Sequence, residues 1–215
     1  MNTYKLIKID TISYNDALVL QKILQNKVLA DNSEQYILAL SHNDVITTGK
    51  RGFLDTLKYD EKFYKSKNID LIKTDRGGLA TYHGRGQLVI YFIINLLDLK
   101  LGIKDFVSKI EDSIIDTLIY YDVIASKSEG FRGVFVNDNK IAAVGMQVTH
   151  NVTKHGIALN ISTNLDRFSL FVPCGLRNKG VTSIKNEINR NIDINEVLDI
   201  LIKKISDNLE VEIAR

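Results

Sequence analysis

The sequence predicts an α/β or α+β fold, on two observations. Short apolar runs bounded by turn residues alternate with longer stretches whose apolar residues recur at helical spacing. No internal repeat or low-complexity linker breaks that alternation, and 215 residues lie at the upper end of the usual single-domain range. One domain, 1–215, is therefore expected.

The elements follow in order. Tyr4 to Ile9 reads as a strand, and Asn15 to Leu29 has the spacing of an amphipathic helix. Gln35 to Leu40, Val45 to Thr48 and Asp70 to Lys73 read as short strands, followed by a glycine-rich loop from Arg76 to Gly86 and an apolar strand from Leu88 to Asn95. Lys104 to Tyr121 carries Phe106, Ile110, Ile114 and Leu118 at helical spacing with acidic residues between them. Gly133 to Asn137 and Lys140 to Val148 flank Asp138-Asn139, a pair that tolerates the positive φ of a hairpin turn, so Lys140 opens the second strand. Thr153 to Ile161 is a further strand, Leu165 to Ser183 reads as irregular, and Asp193 to Leu209 closes the chain as an amphipathic helix.

Composition excludes more than it assigns. A net charge of +2 leaves no whole-molecule field to draw nucleic acid or an anionic membrane. The N-terminal MNTYKLIKID lacks the pattern of a secretory signal, and no apolar run approaches the roughly 20 residues needed to span a bilayer. One cysteine allows no intramolecular disulfide and suits a reducing compartment. The expected location is cytoplasmic.

Three segments place glycines and polar residues where a core would take apolar ones: DRGGLATYHGRGQLV at 75 to 89, GVFVNDNKIAAVGMQVTHNVTKHGIALNI at 133 to 161, and FVPCGLRNKGVTSI at 171 to 184. Glycines let a backbone approach a ligand and aim N–H groups at it. The first segment is neither a P-loop nor a dinucleotide fingerprint. Arg76, Tyr82, His83 and Gln87 crowd into it, which points to a substrate-binding wall. His150 and His155 stand five apart, poor spacing for a metal, and no cysteine cluster supports zinc, so neither metal nor cofactor is expected.

Cys174 is the only thiol. A solitary cysteine is ordinarily a small buried hydrophobe, but Pro173 disfavours helix before it and Gly175 leaves one side unshielded. A nucleophilic role also needs activation, because a thiol of pKa ~8.5 is only a few per cent thiolate at neutral pH. Lys140 is one candidate activator, although a lysine beside a hairpin turn is ordinarily solvated. His83, His150 and His155 are rival bases, and spacing alone does not choose among them.

Taken together, the three segments resemble the lipoate-biosynthesis octanoyltransferases, also called lipoyl(octanoyl) transferases. The resemblance is carried by RGGLATYHGRGQ at Arg76 to Gln87, KIAAVG at Lys140 to Gly145, HGIALN at His155 to Asn160, Pro173 to Gly175 with Val181 to Ser183, and ITTGKRG at Ile46 to Gly52. Arg85 stands where the family usually has proline. The resemblance implies a single domain built on a mixed, mostly antiparallel sheet flanked by helices, shared with biotin and lipoate protein ligases. It implies Cys174 as the acyl-thioester nucleophile and Lys140 as the residue that lowers its pKa. It assigns acyl-substrate contacts to Arg76, Gly77, Gly78, Leu79, Ala80, Thr81, Tyr82 and His83, to Ala143, Val144 and Gly145, and to Gly156, Ile157 and Ala158.

The implied donor is octanoyl-acyl carrier protein. The implied acceptors are lipoyl domains of 2-oxoacid dehydrogenase complexes and the glycine cleavage H protein. ATP is not required, since thioester exchange is nearly balanced and amide formation is downhill. N–H groups near Gly77 and Gly78 are expected to stabilise the oxyanion. Two alternatives remain at this level: an ATP-dependent lipoate or biotin protein ligase of the same fold, and a non-catalytic acyl- or lipoyl-binding module. A Cys/His hydrolase is weaker.

Overall fold

The computed structural model describes residues 3–50, 56–172 and 180–214. In chain order these form β1 (Thr3–Ile12), α1 (Tyr14–Ala30), β2 (Glu34–His42), β3 (Val45–Thr48), α2 (Glu61–Ser66), β4 (Asp70–Lys73), β5 (Ala80–His83) and β6 (Gln87–Ile93). There follow α3 (Ile103–Ile119), β7 (Ser126–Ser128), β8 (Phe131–Val136), β9 (Asn139–Thr149) and β10 (Val152–Asn160). After a 3-10 helix at Leu165–Leu170 come β11 (Gly180–Val181), α4 (Ile184–Ile188), α5 (Ile194–Leu209) and β12 (Ile213–Ala214).

The larger sheet runs β12-β1-β2-β6-β10-β9-β8-β7, with β11 beside β9, and the smaller runs β4-β3-β5. From β2 to β7 along this order every pairing is antiparallel, whereas β1 lies parallel to β2 and β12. A parallel pair needs a crossover, and α1 supplies the one between β1 and β2. The expected mixed, mostly antiparallel sheet flanked by helices is therefore observed.

Why β2 and β6 read as nearly continuous apolar runs follows from the layers. Ile37, Ala39, Leu88, Ile90 and Phe92 face the core built with α3 and α5, while Leu38, Leu40, Val89, Tyr91 and Ile93 face the core beneath α1. With both faces covered, alternation of polar and apolar residues disappears. Helix α3 buries Phe106, Ile110, Ile114 and Leu118, and α5 buries Val197, Leu201 and Ile205 in the same cluster. The last helix thus belongs to the main core. Side-chain caps start α1 (Ser13 Oγ accepts from Asp16 N, 3.1 Å) and α5 (Asp193 Oδ1 accepts from Asn195 N, 2.9 Å).

Two sequence expectations need correction. The glycine-rich segment is not loop throughout, because Ala80–His83 forms β5 and pairs antiparallel with β3. The segment from 165 to 183 is not wholly irregular: it contains the 3-10 helix and β11. Short elements such as α2, α4, β7 and β12 carry too few residues to show a period. Among the described residues no helix is long and apolar enough to cross a membrane.

The β6–β10 pairing depends on Gly156, where an added Cβ would lie 2.0 Å from the Ile90 carbonyl oxygen. Backbone cannot yield as a flexible side-chain end can. Gly156→Ala is expected to lower stability by about 1–3 kcal/mol, read as a shift in the urea unfolding midpoint.

Candidate active-site cavity

A cavity of about 360 Å³ is walled by the glycine-rich segment and β5 on one side and by β9 and β10 on the other, with Ile103 and Val107 of α3 contributing a third side. Phe131, Arg132 and Lys104 stand at its exposed rim. Its floor, under α1, is polar: Tyr14, His83, Tyr91, His155 and Asn160.

The glycine-rich segment has little apolar surface with which to hold itself in place, so polar contacts do it. The Arg76 guanidinium is buried and donates through Nε to Thr47 Oγ1 (3.1 Å), through Nη2 to the Thr47 carbonyl (2.7 Å), and through Nη1 to the Gly77 carbonyl (2.9 Å). This fastens the segment to β3. On the other side, Asp75 accepts from His155 Nε2 (2.7 Å) and Lys154 Nζ (2.7 Å), fastening it to β10. Backbone bonds complete the attachment: Gly49 N to Leu79 O (2.9 Å) and Gly77 N to Met146 O (3.3 Å). The Gly77 N–H is consequently spent on β9, which corrects its expected part in an oxyanion site. Gly78, with φ +89°, has no hydrogen-bond partner for its N–H among the described residues.

Arg85 falls in a turn closed by Gln87 N to Gly84 O (3.2 Å), with Gly86 at φ +80° in the third position. That turn favours proline second and requires positive φ third. The replacement of the family's proline by an exposed arginine lies in the turn, away from the cavity wall.

Burial keeps three histidines neutral. His42, held between the Ile12 carbonyl (Nδ1, 2.9 Å) and the Tyr91 hydroxyl (Nε2, 2.7 Å), is pushed down to about 4 by desolvation. His83 lies well below its ordinary value for the same reason, with His42 and Arg76 adding repulsion. His155 is also lowered by burial, although hydrogen bonding to Asp75 works the other way. Asp75 is held below the usual carboxylate range, first by the hydrogen bond from His155. Burial raises Tyr91 well above its ordinary value and raises Tyr14.

His155 carries two further anomalies: a backbone φ of +63° within a strand, and a buried Nδ1 with no partner among the described residues. Its N–H is taken by Gln21 Oε1 (2.8 Å).

Of the residues expected at the site, Arg76, Gly77, Gly78, Leu79, Ala80, Thr81, His83, Lys140, Ala143, Val144, Gly145, Gly156, Ile157 and Ala158 all line the cavity. Tyr82 does not. Successive strand residues face opposite ways, so Tyr82 turns from His83 into the core of the smaller sheet, edge-on to Phe168, and its hydroxyl donates to Asp44 Oδ1 (2.8 Å). Cys174 lies outside the described residues. Both flanks of its segment, Phe171 and Val181, line the cavity. Val181 pairs with Lys140 in parallel register, and Lys140 Nζ stands 5.1 Å from the Phe135 ring centroid.

Sequence reasoning missed Tyr14, Tyr91, Ile103, Val107 and Asp75. The first four sit in ordinary helix and strand patterns that carry no local signal. Asp75 stands two residues before the glycine pair, and a carboxylate beside Arg76 is the one available hint. Among the described residues, no group of three or more His, Cys, Asp or Glu is arranged to hold a metal ion.

Residues 13–206 match the family described as the lipoyl protein ligase A/B catalytic domain. A curated relative from Dictyoglomus thermophilum, named octanoyltransferase, is 44% identical over 188 residues that cover 86% of this chain and 79% of the relative. Another of that name from Clostridium kluyveri is 36% identical over 200 residues, covering 93% and 84%. Among solved structures, the putative lipoate protein ligase Ta0514 from T. acidophilum has a TM-score of 0.79 at 16% identity, covering 100% of this chain and 88% of that one. A biotin protein ligase from Aquifex aeolicus has a TM-score of 0.59 at 16% identity, covering 96% and 70%. Those two likenesses concern the fold alone, and they agree with the expected shared fold.

The depressed His42 gives a signed prediction. Its folded pKa lies below the unfolded value, so the unfolded chain binds the proton first as pH falls. This group costs nothing well above pH 6.5 and destabilises progressively from about 6.5 to about 4, by at most roughly 3 kcal/mol. Urea unfolding should show a falling midpoint across that window, with a shallower slope in His42→Gln.

Proposed function

The chain belongs to the lipoyl protein ligase A/B catalytic-domain family and is an acyltransferase, and from that premise we propose that it moves an octanoyl group from octanoyl-acyl carrier protein to a lysine of lipoyl domains through a thioester on Cys174. The observation that carries this reading is convergence: three segments far apart in sequence, the second of them bearing Lys140, contribute to the wall of one cavity.

In the first step the Cys174 thiolate attacks the donor thioester carbonyl. A new C–S bond forms, the donor C–S bond breaks, and the donor leaves as a thiolate that takes a proton from water. Lys140 holds the proton lost by Cys174, and its ammonium stabilises the thiolate. The π face of Phe135 beside Nζ favours that charged form. In the second step the acceptor lysine, as free amine, attacks the octanoyl carbonyl. A C–N bond forms, the C–S bond to Cys174 breaks, and one proton passes to water. The apolar wall of Val107, Val144, Met146 and Ile157 suits the alkyl chain. The acceptors proposed are the lipoyl domains of 2-oxoacid dehydrogenase complexes and the glycine cleavage H protein, and the proposed location is the cytoplasm.

Intact-mass measurement after mixing with octanoyl-carrier protein should show one added octanoyl group on Cys174, which disappears when a lipoyl domain is added. Turnover with free octanoate and ATP, and none with the thioester, would instead assign adenylating ligase chemistry. Lys140→Ala is expected to slow iodoacetamide alkylation of Cys174 at neutral pH, about tenfold for each unit by which its pKa rises; an unchanged alkylation pH profile would remove Lys140 from the mechanism.

A further inference from the structure

The cavity floor holds a tautomer lock. Asn160 Nδ2 donates to the Thr182 carbonyl (3.0 Å), which leaves Asn160 Oδ1 to accept from Gln87 Nε2 (2.9 Å). Gln87 Nε2 also donates to the Tyr82 carbonyl (3.1 Å), so its Oε1 is the acceptor for His83 Nδ1 (2.8 Å). Every amide in the chain has its orientation set by the next, and the result is one permitted form of His83: Nδ1 carries the hydrogen and Nε2 carries a lone pair. The ring cannot readily turn, being stacked on Tyr14 (5.6 Å between centroids) and edge-on to His42 (5.7 Å).

His83 lines the cavity, and its Nε2 has no hydrogen-bond partner among the described residues. Nor is that nitrogen among the buried unpartnered atoms sealed from solvent, as His155 Nδ1 is. A buried chain of four residues thus presents a single acceptor to the cavity. The chain ends on the carbonyl of Thr182, whose N–H donates to the Lys140 carbonyl (3.0 Å), so the acceptor and Lys140 are positioned from the same strand end.

We propose that His83 Nε2 orients the attacking amine, accepting a hydrogen bond from the acceptor lysine N–H so that the nitrogen lone pair is directed at the acyl carbonyl. This rests on the acyl-thioester reading above. The chemistry fits an amine and not the donor thioester, whose reacting atoms offer no hydrogen to accept. His83 takes no proton: the C–N bond forms, the C–S bond breaks, the sulfur leaves as thiolate and the amine proton passes to water. Because the ring stays neutral, its contribution is the same across neutral and mildly alkaline pH.

Two substitutions separate this role from a structural one. Asn places its amide nitrogen where Nδ1 lies, keeping the bond to Gln87 and losing the acceptor. Gln places its carbonyl oxygen near Nε2, keeping the acceptor and losing the lock. The measured quantity is the rate of octanoyl transfer from the acyl-enzyme to a lipoyl domain, divided by the rate of its cleavage by hydroxylamine. His83→Asn should lower this ratio about tenfold, equally at pH 6.5, 7.5 and 8.5, and His83→Gln should stay within about threefold of the parent. An unchanged ratio in His83→Asn, the reverse order of the two variants, or a defect that vanishes at pH 8.5 would overturn the proposal. If the parent protein gains no octanoyl mass, the acyl-thioester reading fails instead, and with it the basis of this one.

Discussion

Residues 75–79, Asp-Arg-Gly-Gly-Leu, carry one large apolar side chain and must be held between two sheets, and the rest of the site depends on how that is done. Hydrophobic burial is unavailable to residues 75–79, so the attachment is polar and double. Arg76 commits its guanidinium to Thr47 and the Gly77 carbonyl, which ties the segment to the smaller sheet. Asp75 pairs with His155 and Lys154, which ties it to the larger one. Charged hydrogen bonds of this kind are directional, and they hold geometry in a way that apolar contact cannot. The guanidinium therefore serves the wall from behind, and the cavity receives the backbone and small side chains that Arg76 positions.

The same arrangement explains the electrostatic character of the floor. Three histidines and two tyrosines are brought under α1 beside a buried arginine cation. Burial strips the imidazoles of solvent, so they stay neutral, with Arg76 adding repulsion at His83 and His155, and each is given a fixed tautomer by its neighbours. His42 uses Ile12 and Tyr91, His83 uses Gln87, and His155 uses Asp75. The positive φ of His155 and its buried Nδ1, without a partner among the described residues, fall where the glycine-rich wall meets β10.

Most of the regular fold was legible. The periods of α1, α3 and α5 and the apolar runs of β2, β6 and β10 are long enough to register, and their ends fall within two residues of the observed ones. Pocket-lining positions in the three recognised segments were legible through resemblance. Tyr82 was not, because a contiguous stretch in sequence becomes alternating faces once it is a strand, and the glycines around β5 mask its period of two. Tyr14 and Tyr91 were invisible for the opposite reason: each occupies an unremarkable place in a helix or strand, and only the packing of α1 against β6 and β10 brings them to the cavity.

By itself, then, the sequence determined the alternation of elements and the segments that spend glycine on a binding wall, since both are written in local patterns of residue type. The tertiary structure alone decided which polar groups meet. The Asp75–His155 pair spans 80 residues of chain and the Gln87–Asn160 bond spans 73, and no local period encodes contacts of that separation. Tautomer, charge state and the choice between facing the cavity and facing a core all follow from such contacts, because each depends on which donor, acceptor or apolar neighbour the folded chain places within a few ångströms.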